Sequence, residues 1–101
     1  MRKIKIKTSD KVEVTREQAR AIKEGMKFYL RMADNDPQRV NDLTNGDKKE
    51  FARLQFVGKQ FVINNGDVEP WTGLFKSLNS MYADDLNQAI LKGYIVKEGA
   101  E

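Results

Sequence analysis

The sequence predicts an α+β fold: two β-hairpins, able to share one antiparallel sheet, packed on a long amphipathic helix and a carboxy-terminal helix. Three observations carry this. Residues 3 to 14 alternate apolar and polar side chains around a short polar turn, residues 16 to 32 switch to helical spacing, and a glycine-centred turn separates two runs of β-formers between Glu50 and Asn64.

In the first hairpin, Lys3-Ile4-Lys5-Ile6-Lys7 and Lys11-Val12-Glu13-Val14 flank Thr8-Ser9-Asp10. Ile4, Ile6, Val12 and Val14 share the face expected to meet the core, and the lysines share the other. Thr15 then stands as a helix N-cap with Gln18 three residues on, the spacing of a capping box. From Arg16 to about Met32, Ala19, Ile22, Met26, Tyr29, Leu30 and Ala33 fall within about 100° of arc, as a core-facing stripe should. Gly25 costs this helix about 1 kcal/mol against alanine, which marks it as a close packing contact.

Asp36-Pro37 reads as an N-cap followed by proline at the first helical position, opening a short helix to about Leu43 that ends at the turn Asn45-Gly46-Asp47. In the second hairpin, Phe51, Leu54, Phe56, Phe61, Val62 and Ile63 supply β-formers, and Gly58 suits the first central position of a type II′ turn. A helix over Asp47 to Leu54 is the alternative for part of this stretch. After the turn Asn64-Asn65-Gly66-Asp67, Pro70-Trp71-Thr72-Gly73 reads as a loop or a helix start. Asn79 or Ser80 can cap a last helix running to Lys92, with Leu86, Ala89 and Ile90 inward and Gly93 at its C-terminal stop. Tyr94 to Lys97 fits a final short strand.

The 101 residues are expected to form one domain around a single core, fraying from about residue 98. A hydrophobic fraction of 40% supplies the apolar area for that core without disulfides or metal staples. Cysteine is absent, which fits a reducing compartment. The opening MRKIKIK has no apolar run behind it, and no run of 18 apolar residues occurs. The expected location is therefore cytoplasmic, away from membranes. The net charge of +3 conceals an asymmetry: residues 1 to 32 hold 10 Lys/Arg against 4 Asp/Glu, and residues 33 to 101 hold 8 against 11. A basic amino-terminal third and an acidic remainder give the molecule two kinds of surface.

Histidine is absent together with cysteine. That removes the usual general base near neutral pH, the thiolate nucleophile and the main zinc ligands. Asp34, Asp36 and Asp42 crowd one polar stretch, but Pro37 interrupts any calcium-loop spacing. Asp84 and Asp85 complement the dipole of the last helix. No glycine-rich phosphate loop and no G-x-S-x-G occurs. The expectation is a protein that is not an enzyme and uses no metal or cofactor.

Arg16, Arg20, Lys23, Lys27 and Arg31 are spaced 4, 3, 4 and 4 apart. On a helix they lie within about 80° of arc and form a line about 22 Å long. Such a line can follow the phosphates of a nucleic acid, with affinity falling as salt rises. Glu17 and Glu24 stand on the neighbouring arc, Arg20 to Glu24 and Glu24 to Lys27 have ion-pair spacing, and a solvated surface explains the pattern as well. Trp71, near Pro70, Phe75 and Tyr82 in sequence, is the other candidate as an interaction anchor, with a core position as its ordinary reading.

The basic hairpin, the VTREQARAIKEGMKF helix and the LQFVGKQFVIN segment resemble, over the first two-thirds of the chain, small uncharacterised proteins encoded by phages and prophages of Gram-positive bacteria. The resemblance implies an accessory protein or inhibitor that binds a host or phage component, and it transfers no site residue. The tail LNQAILKGYIVKEG is similar to a winged-helix recognition helix running into its wing, although Asp84-Asp85 would repel phosphates there. The function expected from the sequence is a non-catalytic intracellular binding protein acting through protein–protein contacts. Electrostatic nucleic-acid binding by the first helix is the alternative.

Overall fold

Thr15 ends one element and begins the next. In the computed structural model, which describes residues 11–97, strand β1 (Val12–Val14) leads into helix α1 (Arg16–Asp34) with Thr15 as its N-cap. Thr15 Oγ1 accepts the Gln18 backbone N–H at 3.0 Å, and Gln18 Oε1 accepts the Thr15 backbone N–H at 2.9 Å. This reciprocal capping box fixes where the helix starts and so which face it turns inward. Ala19, Ala21, Ile22, Gly25, Tyr29 and Ala33 are buried, close to the stripe expected from the sequence.

Helix α2 (Pro37–Thr44) begins at Asp36, whose Oδ1 accepts the Arg39 backbone N–H at 3.3 Å, and stops at Asn45 in the left-handed conformation, φ 56°. Asp47 opens α3 (Lys48–Asn64) in the same way, accepting the Glu50 N–H at 3.0 Å. A 3-10 helix (Gly73–Ser80), α4 (Ala83–Lys92) and β2 (Tyr94–Val96) complete the order.

The two expected hairpins are not the architecture. The segment from Glu50 to Asn64 lies in α3, and Gly58 sits within that helix with open space around it and no positive φ. The β-forming residues are there because a helix can also bury them: Phe51, Ala52, Phe56 and Gln60 point inward at helical spacing. Of the first hairpin, Lys3 to Asp10 lies outside the described residues. Its second strand is β1, which pairs with β2 in parallel, Val12 opposite Tyr94 and Val14 opposite Val96. Most of the chain thus forms the crossover between two short parallel strands. The fold is helix-dominated, with four α-helices, one 3-10 helix and one two-stranded parallel sheet among the described residues.

α1 packs on α3 at Gly25. A Cβ at that position would lie against the Phe56 ring, so glycine is what lets the two helices close. Phe56 stacks on Tyr29 at 5.3 Å between centroids and meets Trp71 edge-on at 6.0 Å. Leu78, Met81, Leu86 and Ala89 close the same core from the other side, while Ala33, Val40 and Phe51 form a smaller cluster under α2.

The fully buried Gln60 organises the turn from the 3-10 helix into α4. Its Nε2 donates to the carbonyls of Leu78 and Met81, both at 3.0 Å, and its Oε1 accepts the Trp71 indole N–H at 2.7 Å. One turn on, Asn64 Oδ1 accepts the Ala83 N–H at 2.7 Å. This serves the start of α4, where Tyr82 supplies no side-chain cap. The cap expected from Asn79 or Ser80 is absent because α4 begins later. Asn79 instead brackets Trp71, accepting its N–H at 2.8 Å and donating to its carbonyl at 2.9 Å.

A candidate macromolecule-binding face on the first helix

The inward rotation of α1 dictates what faces water. With Ile22, Gly25 and Tyr29 in the core, Arg16, Arg20, Lys23, Lys27 and Arg31 lie on the opposite side, and all five are exposed. Lys27 Nζ approaches Glu24 at 3.6 Å, both side chains being well exposed, an arrangement that contributes little and leaves Lys27 accessible.

Structure adds two walls that the helical spacing does not reveal. On one side, β2 runs beside the first half of α1, and Arg16, Ala19, Arg20 and Lys23 enclose with Tyr94 and Val96 a groove of about 320 Å³. On the other, Glu17 and Arg20 form with Gly73, Leu74, Lys76 and Ser77 of the 3-10 helix a hollow of about 490 Å³. Arg20 therefore stands on the divide between two hollows, and Lys76 adds a cation beside it. Towards the far end of α1, Arg31 borders a third depression with Phe28, Met32, Asn35 and Asp36. The cations are thus interleaved with apolar surface, including Leu74 and Phe28, both exposed.

Trp71 is placed differently. It packs half-buried against the core between Phe56 and Phe75, with its indole N–H held by Gln60 and Lys59 Nζ 5.7 Å from its ring centroid. Its polar atoms are committed within the fold, and it lines none of the three hollows beside α1.

The acidic candidates have local duties. Asp36 caps α2, Asp34 pairs with Lys48 at 2.8 Å, and Asp42 accepts the Gln38 side-chain N–H at 3.1 Å. Among the described residues no group of three or more acidic side chains could hold a metal ion. No described helix is long and apolar enough to cross a membrane. α4 runs into β2, whose described partner is β1, so the described residues contain no wing hairpin.

Sequence reasoning missed Tyr94, Val96, Leu74 and Lys76 as parts of this face. The strand at 94–96 was legible, but its position beside α1 follows from long-range pairing. No known protein family, curated protein or solved structure matches the chain.

Proposed function

We propose that this chain is a non-catalytic binding protein that engages an acidic surface of another protein through the basic face of α1. The observation that carries the reading is Arg20, exposed between two hollows whose walls combine cations with the apolar Ala19, Tyr94, Val96 and Leu74. Protein interfaces pair charge complementarity, which speeds and orients encounter, with apolar contacts at the centre. A sequence without His or Cys supports the non-catalytic part and fits a cytoplasmic setting. An accessory or inhibitory role, as the phage-like style of the sequence implies, belongs to the same proposal.

A second reading, electrostatic binding of nucleic acid, is favoured by one observation: five exposed cations in a line about 22 Å long. One experiment separates the two. The chain and its R20E/K23E/K27E variant are used to capture partners from source-cell lysate with and without nuclease treatment, at ~0.1 M salt where surface charge still acts. A protein retained after nuclease treatment and lost from the variant is the expected result. Retention that vanishes with nuclease supports the second reading, and equal capture by the variant contradicts both. Turnover of a substrate that survives repurification and is lost by a point mutation would contradict the non-catalytic assignment.

A further inference from the structure

The register of the sheet determines which main-chain groups are left for a partner. Lys97 N–H donates to the Val14 carbonyl at 2.8 Å, and Val14 lies opposite Val96. In a parallel ladder alternate residues turn their N–H and C=O to the same side. Ile95 and Lys97 therefore serve β1, and Tyr94 and Val96 direct their main-chain groups to the opposite edge. Among the described residues no third strand lies there, and no backbone hydrogen bond engages those groups.

The side chains of Tyr94 and Val96 turn to the inner face of the sheet, packed against the core and lining the groove with Arg16, Ala19, Arg20 and Lys23. A strand added about 4.8 Å beyond β2 would continue the sheet over that groove. Its inward side chains would arrive at the guanidinium and ammonium groups. Two outward-facing residues make too short an edge to hold a partner by main-chain bonds alone, so charge must do the rest.

We propose that β2 accepts an extended acidic peptide segment of a partner protein as a third strand, its inward carboxylates meeting Arg20 and Lys23. The proposal rests on the reading of α1 as the binding face and supplies its mode. Tyr94-Ile95-Val96 suits this role: all three are β-formers, and the edge carries none of the proline or lysine with which exposed edges are usually blocked.

The test uses an acetylated octapeptide of alternating Glu and Val with Thr at both ends, and two analogues of it. One analogue is N-methylated at every Glu, the other at every Val. In a strand added antiparallel to β2, the residues with inward side chains are those whose amides bond the edge; in a parallel one, their neighbours are. Methylation at only one of the two residue types should therefore lower affinity, by about tenfold or more. Amide exchange of Tyr94 and Val96 should slow on binding the parent peptide. V96P, which removes an outward N–H and no bond to β1, should weaken binding similarly; the methylated peptides give the same answer if that variant fails to fold. If the parent binds the unmodified chain but not R20E/K23E, and both analogues bind equally well or equally badly, strand addition is overturned and the cationic face stands. If the parent does not bind, or binds R20E/K23E equally, the cationic face is overturned as well.

Discussion

Trp71 donates its indole N–H to Gln60 Oε1 at 2.7 Å across eleven residues of sequence, and the same carboxamide donates to the Leu78 and Met81 carbonyls. One buried polar side chain thus joins α3, the loop after it and the entry to α4. Gln60→Leu would leave the indole N–H without its acceptor and take one donor from each carbonyl, Leu78 keeping the Met81 N–H and Met81 keeping Asn64 Nδ2. The expected loss is about 2–4 kcal/mol of unfolding free energy, measured by denaturant titration, with Trp71 fluorescence shifting to the red. Undiminished stability would show that these bonds do not organise the junction.

Gly25 of α1 faces the Phe56 ring of α3, and a Cβ built there would overlap the ring. Gly25→Ala gains about 1 kcal/mol of helix propensity but forces the Phe56 ring to move, so the net outcome is a destabilisation of about 1–3 kcal/mol. The two positions should be coupled: G25A should cost clearly less in an F56L background, by at least about 0.5 kcal/mol in a double-mutant cycle.

Gly58 gives the opposite sign. It lies inside α3 with nothing near the position of a Cβ, so Gly58→Ala should stabilise the protein by about 0.5–1 kcal/mol in thermal or denaturant unfolding. A glycine in a type II′ hairpin turn has positive φ, and alanine there would destabilise. The sign of this one measurement separates the helix from the hairpin.

Burial raises the pKa of the Tyr29 phenol above its ordinary value. The folded state therefore holds this proton more tightly than the unfolded chain does. Its contribution is fully present below the unfolded value of about 10 and is lost as pH rises past it towards the folded value. Unfolding titrations of the unmodified chain and Tyr29→Phe should run parallel below about pH 9 and diverge above pH 10, with the phenylalanine variant losing less stability.

The legible parts of the fold were those whose signals are local. Thr15 with Gln18, Asp36 with Pro37, and Gly93 each mark a boundary within a few residues, and α1, α2 and the end of α4 are found where these residues place them. α3 was hidden by composition: Phe51, Phe56, Phe61, Val62 and Ile63 are β-formers and Gly58 resembles a turn. The countersignal was the Asp47-to-Glu50 spacing of a helix start together with Ala52, Phe56 and Gln60 at steps of four. The parallel pairing of β1 with β2 has no local signal, because each strand is three residues long and its partner lies some eighty residues away. For the same reason the cations of α1 could be read as one line, while the grooves beside them, walled by Tyr94, Val96 and Leu74, could not.

The central claim is that the basic face of α1 recognises carboxylates presented by a protein. Its most direct test is the affinity of the alternating Glu/Val octapeptide for the unmodified chain and for R20E/K23E, measured by calorimetry at ~0.1 M salt and again at ~0.5 M. The predicted result is binding to the unmodified chain that weakens with salt, and at least about a tenfold loss in the variant. Equal affinity for the two proteins, or no binding to either, would contradict it.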